Sequence, residues 1–366
     1  MLIKDFISIM QRLAPPDLAL DWDNCGLQIG SLKQEVSKIG LALDATTATA
    51  TLALEHNCDL LLSHHPLLFR PVKTIDFDRD PGAVLKMAAA NGLAVFSAHT
   101  NWDSAEKGVA DALAELLQLE ERRPMEAAAR EFYKLVVFVP FGHEEALRQA
   151  LFEAGAGVIG DYDHCWYASP GQGGFRASGG SRPFIGQAGE EAQTGESRLE
   201  MILPKALAER AAEVIGQKHP YEEPAFEFHS VKTFGRGQGL GLIGSWAEPR
   251  DPFEEAARIS PNFKWAGPRP AKVRRVATVP GSGGSYMHLA KKLGAEVFIT
   301  GDVDYHLALE AENIGLTLLD LGHYETEWPG VQRLARLLEA ELEDLDWPVE
   351  CRVLDQKPAW HYRTTG

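Results

Sequence analysis

Short apolar runs separated by polar breakers alternate with segments of helical hydrophobic spacing over the first third of this chain. Strands are predicted at 39–43, 60–63 and 93–97, and helices at 47–56, 84–90 and from Val109 onward. Apolar runs of this length between helices are typical of buried strands in a largely parallel sheet that is covered by helices. The pattern therefore predicts an α/β domain.

The last third of the chain repeats this alternation. Strands are predicted at 276–279, 297–299 and 316–319. Val331, Leu334 and Leu338 have helical spacing and predict a helix, and Pro329 suits its first turn, where proline is tolerated.

The middle segment has a different order of predicted strands and helices. The predicted order is a strand at 135–139, a helix at 143–153, a glycine-rich hairpin, a strand at 199–203, a helix at 206–216 and a strand at 226–231. A β-α-β-β-α-β order is typical of a ferredoxin-like α+β domain. We therefore predict one α/β domain with a mostly parallel sheet, formed by residues 1–130 and 236–366, and interrupted by an inserted domain at 131–235.

Clusters of histidine and carboxylate follow four of the predicted strands. These are His64 with His65, His99 with Asp103, Asp302 with His306, and His323 with Glu327. Because the carboxyl ends of strands in an α/β sheet form its binding crevice, we expect one shared metal site there. Histidine and carboxylate ligands suit zinc, iron, manganese, cobalt or nickel.

The adjacent pair His64 and His65 leaves two arrangements open. Neighbouring residues of a regular strand point to opposite faces, so one metal can use both only if the chain bends, as Pro66 favours. Alternatively, each histidine binds a different ion of a pair, and paired metals bridged by a carboxylate are a common hydrolytic device.

Each cluster also has a purely structural explanation. The histidine pair fits a turn, Asp103 fits a helix cap, and His323 with Glu327 fits a pair on a helix surface. The glycine-rich segment 281–285 fits either a tight turn or an anion-binding loop. The coincidence of four clusters at strand ends favours the metal site.

The composition of the chain disfavours several classes of protein. The 366 residues carry a net charge of −16, which disfavours nucleic-acid binding. The four cysteines are widely spaced and predict neither a disulfide framework nor a thiolate zinc site. We find no apolar run long enough to span a membrane and no signal-peptide pattern at the start, and we expect a cytoplasmic protein.

Five motifs make the chain resemble a known family. They are W-D-N-C-G-L-Q-I-G at 22–30, S-H-H-P at 63–66, H-T-N-W-D at 99–103, T-G-D-V-D-Y-H at 300–306 and G-H-Y-E-T-E at 322–327. Together they resemble the NIF three-like family of dinuclear-metal-centre proteins, whose members are labelled GTP cyclohydrolase I type 2 homologues. The insert is similar to the PII-like and CutA-like modules of longer bacterial members. Asp304, where the family frequently has lysine, is expected to make the pocket mouth more acidic.

The resemblance implies two divalent transition metal ions per chain and a ring-shaped, toroidal homohexamer. The implied ligands are His64, His65, Asp103, His323 and Glu327, with Glu327 as the bridging carboxylate. The implied activity is a hydrolase in which metal-bound hydroxide attacks a small molecule such as a nucleotide or phosphoester, with His99 or His306 as proton shuttle. The alternative is a non-catalytic ring assembly that stores or delivers metal or has a regulatory role.

Overall fold

The computed structural model of the chain describes residues 1–160 and 162–360, so the last residues of the predicted segment 236–366 lie outside the described residues. The strands are β1 Gly26–Ile29, β2 Lys38–Ala42, β3 Leu60–Ser63, β4 Ala94–Ser97, β5 Glu120–Pro140, β6 Tyr167–Arg176, β7 Glu191–Pro204, β8 Phe226–Arg250, β9 Lys264–Ala266, β10 Val273–Thr278, β11 Val297–Thr300, β12 Thr317–Asp320 and β13 Glu350–Val353. The helices are α1 Ile3–Leu13, α2 Thr47–Glu55, α3 Gly82–Asn91, α4 Thr100–Asp103, α5 Val109–Leu116, α6 Glu144–Glu153, α7 Ala208–Lys218, α8 Pro252–Ile259, α9 Met287–Lys292, α10 Tyr305–Ile314 and α11 His323–Asp344.

The chain divides into two compact units. The first unit combines residues 1–128 with 237–366, and the second contains residues 129–236. Among the helices in the described part of the chain, none combines the length and apolar character needed to cross a bilayer.

Two sheets form the centre of the first unit. One has the strand order β1-β4-β3-β2-β13, and its four strands from β4 to β13 are parallel while β1 is antiparallel. In the other, β10, β11 and β12 are parallel and are flanked by the antiparallel strands β8 and β9. The sheets are thus mixed α/β sheets, which corrects the expectation of a mostly parallel sheet. The short strands β1 and β9 are only partly buried, so they lack the continuous apolar run that revealed the parallel strands.

Helices α1 and α11 cover the first sheet. Helix α1 buries Ile3, Phe6 and Ile9 at helical spacing, and the Phe6 ring packs edge-on against Phe96 of β4 at 5.2 Å. Helix α11 buries a stripe of apolar residues, namely Val331, Leu334, Leu338 and Leu342, in the same core. Each buried side chain of this kind stabilises the packing by roughly 1.5–3 kcal/mol, so the stripe holds α11 firmly on the sheet.

Helix α11 begins earlier than the sequence predicts. It starts at His323, so Pro329 lies inside the helix and not in its first turn. The first turns bury the polar residues Thr326 and Glu327, and the apolar periodicity that predicts the helix begins only at Val331. As a result His323 and Glu327 lie four residues apart on one helix.

The second unit has the element order β-α-β-β-α-β. Strand β7 lies between β6 and β5 and is antiparallel to both. The unit has a core of its own, which contains Leu135, Val137, Leu147, Leu151, Leu199 and Ile215. Strands β5 and β8 are 21 and 25 residues long, far longer than the predicted runs, because polar and glycine residues interrupt their hydrophobic pattern.

Candidate metal centre

Three strands of the first unit end next to the candidate residues. His64 and His65 directly follow β3, and His99 lies two residues after β4. The short helix α4 then carries Asp103, and α11, which follows β12, carries His323 and Glu327. The structure brings these six residues together, and we call them the His–carboxylate cluster.

The adjacent histidines both face this cluster. Strand β3 ends at Ser63, and the rings of His64 and His65 lie with their centroids 5.2 Å apart. His64 forms one group of potential ligands with Asp103 and Glu327, and His65 forms another with His323 and Glu327, so Glu327 belongs to both. A third group joins the two histidines with His99.

The four imidazoles of the cluster share one arrangement. Each has Nδ1 within hydrogen-bond distance of an oxygen outside the cluster, and each Nε2 is left for a ligand. The Nδ1 partners are the Ala98 carbonyl for His64 at 2.8 Å, Asp44 for His65 at 2.7 Å, Asp23 for His99 at 2.9 Å and Asp302 for His323 at 2.7 Å. Such an oxygen behind an imidazole fixes its tautomer and orientation and is the usual support of a metal-binding histidine.

The Nε2 atoms crowd around one carboxylate. Glu327 Oε2 lies 3.0 Å from His65 Nε2, 2.9 Å from His323 Nε2 and 3.8 Å from His64 Nε2. The Nε2 atoms of His65 and His323 are themselves only 3.1 Å apart. With both Nδ1 atoms donating to carboxylates, neutral imidazoles would point two lone pairs at each other, and a cation between them would remove that repulsion.

Buried polar atoms in the cluster also lack partners. Among the described residues, His64 Nε2 and Asp103 Oδ1 are buried without a hydrogen bond, and they lie 3.5 Å apart. An unpaired buried polar atom costs about 1–3 kcal/mol, so a fold rarely leaves two of them facing each other without a ligand. The donor set, its orientation and these two atoms all fit a bound metal.

The electrostatics of the cluster lead to the same conclusion. Burial disfavours the charged form of His65, but hydrogen bonds with Asp44 and Glu327 outweigh it and raise the His65 pKa to about 10. Burial opposes the charge of His323 too, yet Glu327 and Asp302 raise its pKa to about 9. The carboxylates therefore hold positive charge at this place, which protons supply when no metal does.

The glycine-rich segment 281–285 closes over Glu327. The Gly281 amide donates to Thr326 Oγ1 and the Gly283 amide to Thr300 Oγ1, both at 2.9 Å. Gly281 has a φ of +63°, and a Cβ at this position would collide with Glu327 Oε1. The segment is thus a tight turn that leaves room for the carboxylate.

A cavity of about 560 Å³ opens beside the cluster. Its lining includes His65, His99, Asp103, His323 and Glu327 of the cluster, the aromatic residues Trp22, Phe69 and Tyr286, and the hydroxyl residues Thr100, Ser282 and Ser285. A volume of this size lies within the roughly 300–1,000 Å³ that is usual for small-molecule sites.

Two predicted residues lie elsewhere. His306 is exposed, its ring contacts Tyr305, and it is absent from the cavity lining and from the groups of potential ligands among the described residues. Asp304 caps α10 by accepting from the Leu307 amide, and it lines a separate cavity with Lys264 and Trp265. The expected acidic effect of Asp304 therefore applies to that second cavity.

Asp44 is a site residue that the sequence analysis missed. It lies two residues after β2, so it reaches the same sheet edge as His65, and a search for any carboxylate after a predicted strand would have found it. The roles of Asp23 and Asp302 behind His99 and His323 likewise emerge only from the structure.

We expect Asp44→Ala to weaken metal binding about 10–100-fold, because His65 would lose the carboxylate that orients it. Competition with a fluorescent zinc chelator measures this change. Asp355→Ala is the control, because Asp355 is an exposed carboxylate paired with Lys357 and is not part of the cluster. Equal affinity of Asp44→Ala and the unmodified protein would contradict the orienting role.

Comparisons with known proteins extend over both units. A family model described as Duf34/NIF3 (NGG1p interacting factor 3) matches residues 1–359. A Bacillus subtilis (strain 168) protein named GTP cyclohydrolase 1 type 2 homolog is 36% identical over 327 residues, which cover 88% of each chain. A Mycobacterium tuberculosis protein of the same name is 34% identical over 348 residues, covering 92% of this chain and 91% of that protein. The solved structure of a Bacillus cereus protein related to NIF3 is 33% identical, with a TM-score of 0.82 over 98% of each chain.

Proposed function

This chain belongs to the DUF34/NIF3 family, and on that premise we propose that it is a hydrolase that works with two divalent metal ions in the His–carboxylate cluster. The observation that carries the proposal is the pair of ligand groups, one with His64 and Asp103 and the other with His65 and His323, which share Glu327. A shared carboxylate between two groups is the arrangement of dinuclear hydrolytic sites.

The residues divide between the two ions. His64 and Asp103 would hold one ion, His65 and His323 the other, and Glu327 would bridge them. Zinc, iron, manganese, cobalt and nickel all suit this mixture of imidazole and carboxylate. Ions held in this way supply Lewis acidity and lower the pKa of water to near neutrality.

His99 is the proposed proton-transfer residue. Its ring lines the cavity, and Asp23, whose side chain is fully buried, accepts from Nδ1 at 2.9 Å. A carboxylate behind an imidazole fixes the tautomer and orientation of the ring, so Nε2 can accept a proton and return it to the leaving group. The same role for His306 stays a prediction. His306 does not line the cavity, so the geometry favours His99.

The substrate is proposed to be a nucleotide or another phosphoester. The names of the relatives suggest attack on a guanine nucleotide, which would release formate. We also propose that the second unit, with its β-α-β-β-α-β order, is a ferredoxin-like insert, and that the chain assembles as a homohexamer.

The decisive experiment combines metal analysis with turnover. We expect about two transition metal ions per chain in protein purified without a metal-binding tag, and release of formate or phosphate from a nucleotide panel. His65→Ala and Asp103→Ala are expected to abolish turnover, because each removes a proposed ligand. His288→Ala serves as the matched control, since this exposed histidine pairs with Glu310 and is outside the cavity lining.

Each outcome has a distinct meaning. Two ions per chain without turnover on any nucleotide would reject the hydrolase and favour a metal-handling assembly. No metal after reconstitution with each of the five candidate ions would reject the dinuclear centre itself. Equal loss of turnover in His288→Ala would show that activity does not report on the cluster.

A further inference from the structure

Two aromatic side chains at the cavity remain half exposed. Trp22 is 57% exposed and Phe69 is 46% exposed, although both line the cavity beside the His–carboxylate cluster. Large rings left in water beside a concave site are typical of surfaces that bind a ligand.

These rings form one wall. Trp22 and Phe69 pack edge-to-face with centroids 5.6 Å apart, and each lies 6.1 Å from the ring of His99. His99 is anchored by the buried Asp23 and thereby holds the wall next to the proposed reaction centre. A planar ring of a ligand can stack here at little entropic cost, because Trp and Phe have few rotatable bonds.

The remainder of the lining combines apolar side chains with a few hydroxyl groups. Ser282 and Ser285, from the glycine-rich turn, offer hydroxyl groups, and no lysine or arginine lines the cavity among the described residues. Polyphosphates are usually bound by arginine, lysine or the start of a long helix. Two divalent ions would bring four positive charges to a site that holds five carboxylates, two in the cluster and three behind its imidazoles, which leaves no surplus positive charge for a triphosphate.

We propose that the cavity binds a planar heteroaromatic ring that carries at most one phosphate, with the ring stacked on Trp22 and meeting Phe69 edge to face. The class is a nucleoside or nucleoside monophosphate. This proposal rests on the proposed function for its reaction, because it assigns the substrate of the same site. The ring-binding wall itself is made only of protein side chains.

Calorimetric titration of the metal-loaded protein tests the proposal with guanosine 5′-monophosphate, GTP and ribose 5-phosphate as probes. We expect the monophosphate to bind at least as tightly as GTP, and ribose 5-phosphate to bind about tenfold more weakly because it lacks the ring. Trp22→Ala should weaken binding of the monophosphate about tenfold, Trp22→Phe by no more than about threefold, and neither should change binding of ribose 5-phosphate.

Trp265→Ala is the matched control. Trp265 is 52% exposed but lines the separate cavity, so its loss should leave all three affinities unchanged. Unchanged affinity of Trp22→Ala for the monophosphate would overturn the stacking wall. GTP binding ten times tighter than the monophosphate would overturn the limit of one phosphate.

Two further readouts separate this proposal from the proposed function. Metal content should be equal in Trp22→Ala and the unmodified protein. If the protein holds two ions but binds the monophosphate and ribose 5-phosphate equally tightly, only the stacking proposal is refuted. If no metal binds, titration with guanosine still measures the wall while the hydrolase is rejected. A change of oligomeric mass in Trp22→Ala with unchanged probe binding would show that another copy covers these rings, which also overturns the proposal.

Discussion

Replacement of Glu327 by alanine is expected to remove both metal ions, whereas loss of a ligand on one side should remove only one. Glu327 is the residue that both ligand groups share, and its Oε2 lies within 3.0 Å of the Nε2 atoms of His65 and His323. Elemental analysis should therefore give close to zero ions per chain for Glu327→Ala and about one for Asp103→Ala or His323→Ala.

The expected stoichiometry depends on a folded chain. Glu327→Gln keeps the volume of the side chain and separates loss of a ligand from loss of packing. Glu339→Ala is the control on the same helix, because Glu339 is an exposed glutamate four turns away from the first turn of α11. One ion retained in Glu327→Gln and Glu327→Ala would contradict the bridging role, and unfolding would show as lost helical circular dichroism.

Gly281→Ala should also empty the site, although it removes no ligand. The new Cβ would collide with Glu327 Oε1 and lie 3.3 Å from His323 Nε2, so the carboxylate would have to turn away from both ligand groups. The φ of +63° adds backbone strain of about 1–2 kcal/mol. We expect near-complete loss of metal together with a modest fall in the free energy of unfolding.

Gly315→Ala separates the collision from the strain. Gly315 has a φ of +64° at the end of α10, and a Cβ there would meet no atom within 4 Å. This variant should lose a similar amount of stability, measured by urea unfolding, and keep its full metal content. Equal metal content in the two variants would mean that the space at Gly281 does not hold Glu327 in place.

The sequence predicts the position of the cluster because the same feature marks each part of it. His64, His99 and His323 each follow a short apolar strand within three residues, and parallel strands deliver their carboxyl ends to one edge. The structure brings together the five residues proposed as ligands. Their role as ligands stays a prediction.

Other parts of the fold are harder to predict from the sequence pattern. Strands β1 and β9 are short and partly exposed, so no apolar run in the sequence predicts these strands or their antiparallel pairing. The first turns of α11 bury Thr326 and Glu327, which hides the start of the helix from any search for apolar spacing. Asp44 is a single carboxylate among many, and only its distance to His65 assigns it a role.

The structural explanations of the individual motifs can now be weighed. A pair of His323 and Glu327 on a helix surface is excluded, because Glu327 is only 4% exposed and faces three imidazoles. The glycine-rich segment 281–285 is a tight turn whose amides at Gly281 and Gly283 donate to threonine hydroxyls. The serines of the same turn face the cavity, so the turn also contributes polar groups to it.

The division of the first unit between the two ends of the chain sets the order of events on the ribosome. His64, His65 and Asp103 are synthesised before the second unit, and His323 and Glu327 only after it. At the roughly 5–20 residues per second of translation, some 10–45 s separate Asp103 from Glu327. During that interval the nascent chain holds only part of the proposed ligand set, so under the proposed function both ions can bind only after α11 has been synthesised.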